Sequence, residues 1–324
     1  MSGENEADEM ICASCGVAEI DDVKLKECDG CDLVRYCGDE CQKNHRKKHK
    51  RKCKKRAAEL RDEILFKQPE GTCYGDCPIC MVPLGSLELT KFSVMGCCSK
   101  FICKGCFYAK EKSELEARLL PACPFCREPM PDTEEEIYKR RTKRLEANDP
   151  VAICYEGERR YKKGEYSSAF EYYTKSAELG DPRAHCRLAD LYHEGLGVEK
   201  DRKKEIHHYE EAAIGGHPGA RCNLGAHEAI NENNERSVKH YVIAATQGDD
   251  NSIKALMEGF QDGLVKKEDL DTALRAHYAA VNATKSPQRD AAEKWEAVWG
   301  NVGSYHIWLN DRSHWYDCEE EGCE

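Results

Sequence analysis

Residues 12–53 read CASCGVAEIDDVKLKECDGCDLVRYCGDECQKNHRKKHKRKC, and this stretch decides how the first part of the chain folds. It holds seven cysteines and two histidines in 42 residues, grouped as Cys12-x2-Cys15, Cys28-x2-Cys31, Cys37-x3-Cys41 and His49-x3-Cys53, with His45 between Cys41 and His49. Donors two or three residues apart fall on one side of a tight knuckle, and four such pairs satisfy two tetrahedral zinc ions. A segment this short cannot offset the cost of ordering its backbone, about 1–2 kcal/mol per residue, by burial alone. Structural zinc, contributing about 10–16 kcal/mol per site, supplies the difference. A disulfide framework is not expected, because Glu4, Glu6, Asp8 and Glu9 follow Met1 where a secretory signal would be basic and then apolar.

The spacing, with Asp39-Glu40-Cys41-Gln42-Lys43 leading into the final pair, resembles the MYND zinc-finger family. The resemblance implies two interleaved zinc ions, one held by Cys12, Cys15, Cys37 and Cys41 and the other by Cys28, Cys31, His49 and Cys53. Cys41, His45, His49 and Cys53 recur every four residues, so on a helix they drift only about 40° per step and His45 also points near a metal. His49 is the expected ligand, with His45 packed beside it or supporting it.

The pattern restarts at Cys77-x2-Cys80, continues with Cys97-Cys98 and Cys103-x2-Cys106, and ends at Cys123-x2-Cys126. Four more pairs imply two more ions, four in all. Two Cys-Pro-x-Cys knuckles around a helical stretch from Phe107 to Leu120 resemble a RING finger. That resemblance implies a contact for a ubiquitin-conjugating enzyme at Ile79 and, at Arg127, a cation that holds the ubiquitin-charged complex closed. One departure stands out: Lys100 occupies the place of the family's histidine, so Cys97 and Cys98 must ligate as neighbours. Adjacent residues of an extended chain point to opposite faces, so a sharp turn is needed, with Gly96 the candidate to supply it. Cys73 reads as a packed thiol nearby.

From residue 149 a period of 32 to 36 residues appears, anchored on Gly180, Gly216 and Gly248. Tyr173, Tyr209 and Tyr241 lie seven residues before these glycines, and Ala177, Ala213 and Ala245 three before. Ala184, Ala220 and Ser252 follow four after, and Leu188, Leu224 and Leu256 eight after. Small residues at helical spacing allow paired helices to approach, and each glycine ends one helix before the next begins. The loop Gly195-Leu196-Gly197-Val198 with Asp201, and the Ala-Ala-x-x-Gly endings, are similar to Sel-like repeats of the tetratricopeptide superfamily, which present a curved surface to proteins. Four units are expected, near 149–180, 181–216, 217–248 and 249–283.

The expected chain is multidomain: two small zinc-stabilised α+β modules followed by an all-α helical-repeat solenoid. An acidic, disordered segment occupies 1–9, the MYND-like finger 10–56, a linker 57–70, the RING-like finger 71–130, a linker helix 131–148, the repeats 149–283, and a capping helix with an acidic tail 284–324. Thr133-Glu134-Glu135-Glu136 reads as a capping box opening the linker helix, with Glu136 and Arg140 at pairing distance. Trp295 and Trp299, one turn apart, are expected to cover the last repeat. His314, Cys318 and Cys323 are too few and too loosely spaced for a fifth zinc site.

Charged residues make up 34% of the chain and net charge is -11. No apolar run long enough for a membrane span occurs. From Lys43 to Arg56, ten of fourteen residues are Lys or Arg, whereas Asp317 to Glu324 carries five carboxylates. The basic run is expected to offset the negative zinc–thiolate sites rather than to serve nuclear import, and the overall acidity makes nucleic acid an unexpected partner. The 21 cysteines imply a reducing compartment, cytoplasm or nucleus. No catalytic constellation is present, and closed four-ligand zincs leave no position for a reacting water. A methyltransferase SET domain, which accompanies some MYND fingers, is rejected because the repeats fill its place. The reading that follows is an interaction adaptor, with the finger gripping a short proline-rich peptide. The alternative is a RING-type ubiquitin ligase that recruits a conjugating enzyme through the second module and substrate through the repeats.

Overall fold

The computed structural model describes residues 11–19, 24–85 and 92–299. The acidic start, Trp308, Trp315 and the His314, Cys318, Cys323 string lie outside the described residues. Two compact units divide the chain, residues 1–67 and 68–324.

In the first unit, β1 (Lys26–Glu27) pairs antiparallel with β2 (Arg35–Tyr36), Lys26 facing Tyr36. A 27-residue helix, α1 (Asp39–Leu65), follows. Its Lys, Arg, Glu, Gln and Ala content favours helix, and Asp39 and Glu40 complement the positive end of its dipole. It carries almost no apolar face, and only His49 and Leu65 are buried along it. The finger (10–56) and the linker (57–70) expected from sequence therefore share one continuous helix.

The second unit brings the other cysteine module and the repeats together. β3 (Phe92–Val94) pairs with β4 (Phe101–Cys103), and α2 (Lys104–Glu116) leaves directly from β4. This helix begins one turn earlier than the expected 107–120, because the Cys103 sulfur caps it by accepting the Cys106 N–H at 3.3 Å, and it ends sooner, before the left-handed Arg118 at φ 54°. Tyr74, Leu84, Phe92, Met95, Ile102 and Phe107 form the module's core among the cysteines. The linker helix α3 (Glu134–Glu146) opens as expected, with the Thr133 hydroxyl accepting from Glu136 N at 3.2 Å and Glu136 bound to Arg140 at 2.8 Å. Arg141 then reaches Glu156 at 3.2 Å, and Arg144 pairs with Asp149, which ties α3 to the first repeat.

Four helical hairpins follow: α4 (Pro150–Lys162) with α5 (Tyr166–Glu178), α6 (Pro182–Glu194) with α7 (Arg202–Ile214), α8 (Pro218–Ile230) with α9 (Asn234–Thr246), and α10 (Asp250–Gln261) with α11 (Lys267–Ala283). Each hairpin stacks on the next through α5 on α6, α7 on α8 and α9 on α10 and α11. The registered positions are the core: the three alanines before the glycines, Ala184, Ala220 and Ser252 after them, and all three leucines are buried. Gly180, Gly216 and Gly248 sit at φ +86, +82 and +84°, the left-handed turn that ends one hairpin. The next residue caps the following helix: Asp181, His217 and Asp249, like Asp149 after the left-handed Asn148, accept from a backbone N–H two or three residues on.

A correction concerns α12 (Pro287–Trp299). It does not cap the last repeat; it packs along α2 of the cysteine module, with Trp295 against that module's core and 6.0 Å from Tyr108 between ring centres. Gly105 permits the contact, since a Cβ there would stand 2.6 Å from Arg289 N. Lys104 pairs with Glu296, and Arg289 donates to the carbonyls of Val82 at 3.0 Å and Pro83 at 2.7 Å.

Candidate metal centres

Four tetrads converge among the described residues: Cys12, Cys15, Cys37, Cys41; Cys28, Cys31, His49, Cys53; Cys77, Cys80, Cys103, Cys106; and Cys97, Cys98, Cys123, Cys126. Within each, all four donor atoms lie within 4.8 Å of one another. Sulfur–sulfur separations are 3.6 Å for Cys15–Cys37, 3.7 Å for Cys28–Cys53, and 3.8 Å for both Cys80–Cys103 and Cys98–Cys123. A disulfide would require about 2.05 Å, whereas two thiolates at about 2.3 Å on a tetrahedral zinc stand about 3.8 Å apart. The donor sets therefore fit zinc, which would fix the loops without offering an open coordination position.

Three of the knuckles share one local construction. Cys12 accepts from Gly16 N and donates to Val17 O; Cys77 does the same with Met81 and Val82, and Cys123 with Arg127 and Glu128. The residue after each second cysteine is left-handed: Gly16 at φ 74°, Met81 at 55° and Arg127 at 60°. In this geometry backbone N–H groups aim at the first sulfur. Cys77 falls to about 4 through its sulfur contact with Cys103, with burial opposing and amide donors of Cys103, Cys80 and Ile79 assisting. At Cys12 burial works upward, and amide donors of Cys15, Cys37 and Ser14 outweigh it to reach about 6. Amides directed at sulfur favour the thiolate that a metal requires.

Cys97 and Cys98 belong to the same tetrad, Cys97 lying 3.3 Å from Cys126. The turn that allows this runs from Met95 to Ser99, with Ser99 N donating to Met95 O at 2.7 Å. Its left-handed residue is Ser99, at φ 56°, and not Gly96. Lys100, in the place of the RING histidine, lies 5.4 Å above the Phe125 ring. In the first unit, His49 Nε2 is 3.1 Å from Cys31 Sγ, while His45 stacks on His49 and shares a 3.1 Å hydrogen bond with the Tyr36 hydroxyl. Burial, with the charges of His45 and Lys52, lowers the His49 pKa and keeps its ring neutral for coordination. Cys73 stays outside every tetrad, its thiol pushed up to about 12 by burial.

Sequence reasoning missed how the second module is held. Residues 68–74 run along the repeat turns: Gln68 donates to Thr246 at 2.7 Å, Cys73 N to Gly216 O at 3.0 Å, and Gln247 to Gly71 O at 3.0 Å. His217 accepts Ala220 N on Nδ1 at 3.1 Å, which leaves Nε2–H to face the Tyr74 hydroxyl at 3.5 Å. Arg183, bound to Asp181 at 2.6 Å, lies 4.9 Å from the Phe101 ring centre. The signal was present: Asp-Pro follows the turn at 149–150 and 181–182, but His-Pro at 217–218, where the module docks.

A curated relative, the uncharacterized protein NMB1327 of Neisseria meningitidis serogroup B, is 30% identical over 122 residues, which cover 34% of this chain and 25% of that protein. The chain thus spans about a quarter of that relative's length. Among solved structures, c5321, described as a protective antigen of uropathogenic Escherichia coli displaying an SLR fold, matches at TM-score 0.38 and 27% identity, over 44% of this chain and 33% of that one. A Sel1 repeat protein from Oxalobacter formigenes matches at TM-score 0.35 and 28% identity, over 37% of this chain and 97% of that one. The MYND finger family matches residues 12–53, and the Sel1 repeat family matches residues 151–181, 182–217 and 219–249. The chain therefore joins a MYND finger to three consecutive Sel1 repeats, with four donor tetrads that fit zinc.

Proposed function

We propose that the protein is an adaptor in which all sixteen tetrad residues hold four structural zinc ions, the MYND finger grips a short proline-rich peptide, and the repeats hold a second protein. The observation carrying this reading is the completeness of the tetrads: four protein donors saturate each ion, so zinc shapes binding loops and performs no chemistry. Zinc-loaded protein should bind a proline-rich peptide in a calorimetric titration and lose that binding when Cys28→Ser removes one ligand. Peptide affinity unchanged by loss of zinc from this finger would refute the assignment.

A second reading, ubiquitin ligation, is favoured by one feature of the 71–130 module. Ile79 is 46% exposed and Met81 70% exposed on the first knuckle, an apolar tip left open for a partner. A ligase of this type positions a thioester and needs no catalytic side chain of its own. Ile79→Ala should abolish ubiquitin transfer with zinc retained, and Arg127→Ala should slow transfer while conjugating-enzyme binding persists. Absence of stimulated discharge by zinc-replete wild type, across a panel of conjugating enzymes, would leave the adaptor alone.

A further inference from the structure

The basic run of the MYND finger is helical, and six of its nine exposed cations share one side. On α1 the zinc-donor positions Cys41, His49 and Cys53 define one face. At about 100° per residue, Lys43, Lys47, Lys50, Arg51 and Lys54 fall on the side away from these donors, and Arg46, about 20° from Cys53, closes one edge of an arc of about 140°. All six are exposed, and none makes an ion pair among the described residues. Arg56, by contrast, turns back toward the finger and binds Asp32 at 2.7 Å, while Lys55 pairs with Glu59. Two tetrads of seven thiolates and one imidazole leave roughly three negative charges around their ions. Five of the six, all but Arg46, are directed the other way across a helix about 10 Å wide, near the screening length of physiological salt, so neutralising the sulfurs does not account for them.

We infer that this stripe is a docking surface for the phosphate backbone of duplex DNA. The six cations form two rows at four-residue spacing, Lys43, Lys47, Arg51 and Arg46, Lys50, Lys54, along about 16 Å of helix. Duplex DNA carries one negative charge per about 1.7 Å of axis, on two strands bordering a major groove about 12 Å wide that admits a helix. The rows are neighbours, about 5–6 Å apart at Cβ, and form one broad strip facing the phosphates that border the groove. The deep, narrow major groove of duplex RNA does not receive a helix in this way. Single strands are bound through aromatic stacking, and no aromatic ring other than histidine occurs between Lys43 and Arg56. Stable seating on an anionic bilayer takes an apolar anchor beside the basic patch, and the same interval has no aliphatic residue. The contact proposed is with phosphates, which carry no sequence information.

The test uses the full zinc-loaded chain and a fluorescent duplex DNA of about 20 base pairs and arbitrary sequence, with anisotropy followed from 50 to 200 mM salt. Six phosphate contacts predict a slope of log K against log salt near -5, about a thousandfold loss across that range. Lys47→Gln, Lys50→Gln and Lys54→Gln together should flatten the slope by about 2.7. Lys48→Gln, Lys52→Gln and Lys55→Gln, the same change of net charge off the stripe, should alter affinity less than about threefold. Should the stripe variant lose zinc, the three single substitutions, each flattening the slope by about 0.9, carry the same test. Equal effects of the two triple variants, no binding at 50 mM, or tighter binding to duplex RNA, an acidic peptide or anionic vesicles would each overturn the assignment.

Discussion

Replacing Gly105 by Ala puts a single methyl group where α12 crosses the start of α2. The added carbon would stand 2.6 Å from Arg289 N, 2.7 Å from Gln288 C and 2.9 Å from Arg289 Cα. These are backbone atoms and cannot rotate aside, so the helices must part by about 1 Å to recover ordinary contact. Overpacking of this kind costs about 1–3 kcal/mol. What holds α12 is local: the Lys104–Glu296 pair, Trp295 against Tyr108, and the Arg289 hydrogen bonds to the first knuckle. The strain should therefore appear as detachment of α12, with the repeats intact. Hydrogen exchange across residues 287–299 should accelerate by about 5- to 150-fold, the same free energy expressed as an opening constant. Gly71→Ala is the control, because a Cβ at that position meets nothing within 4 Å. Wild-type protection of 287–299 in the Gly105→Ala protein, with unchanged melting, would refute the packing described for this helix.

Metal analysis of purified protein should return four zinc ions per chain; His49→Ala should release one and His45→Ala none, and the reverse would exchange the two histidines' roles. Burial, with Arg187 and Arg183 nearby, holds His217 at about 3 against an ordinary value near 6.5. Its contribution is therefore complete above pH 6.5 and is lost as pH falls toward 3, by up to about 1.4 kcal/mol per pH unit. His217→Asn keeps a capping acceptor and should flatten this part of the stability–pH curve, measured by denaturant midpoints; an unchanged slope would contradict the buried neutral ring. Asp249→Ala removes the acceptor of Ser252 N at 2.7 Å and should lower repeat stability by about 1 kcal/mol, while an effect under a few tenths would deny that cap.

Features written in adjacent residues were legible from the sequence. Cysteine spacing marked the knuckles, Thr133 marked the start of α3, and the glycine-anchored period marked four hairpins, because caps, turns and knuckles are set by neighbours along the chain. Contacts across long separations were not. Nothing near Trp295 distinguishes a helix that covers a repeat from one that covers α2, and Arg289 meets the knuckle at Val82 from 207 positions away. Gly96 was a reasonable source of the Cys97–Cys98 turn, yet the hydrogen bond to Met95 O places the strained residue three positions later, at Ser99. Helical periodicity groups six cations of α1 on one side, but only once residues 39–65 are known to form one unbroken helix.

The seating of α12 on α2 also orders events during synthesis. At about 5–20 residues per second, α2 is complete roughly 10–35 s before Pro287 is added, and every hairpin of the array is made in between. Over that interval the N-terminal face of α2, with Gly105 bare, is open to water and to the chaperones that read such surfaces. A ribosome that stalls within the repeats leaves that face uncovered, whereas one that reads through α12 closes it. Its closure thus records, in the finished fold, that translation passed residue 299.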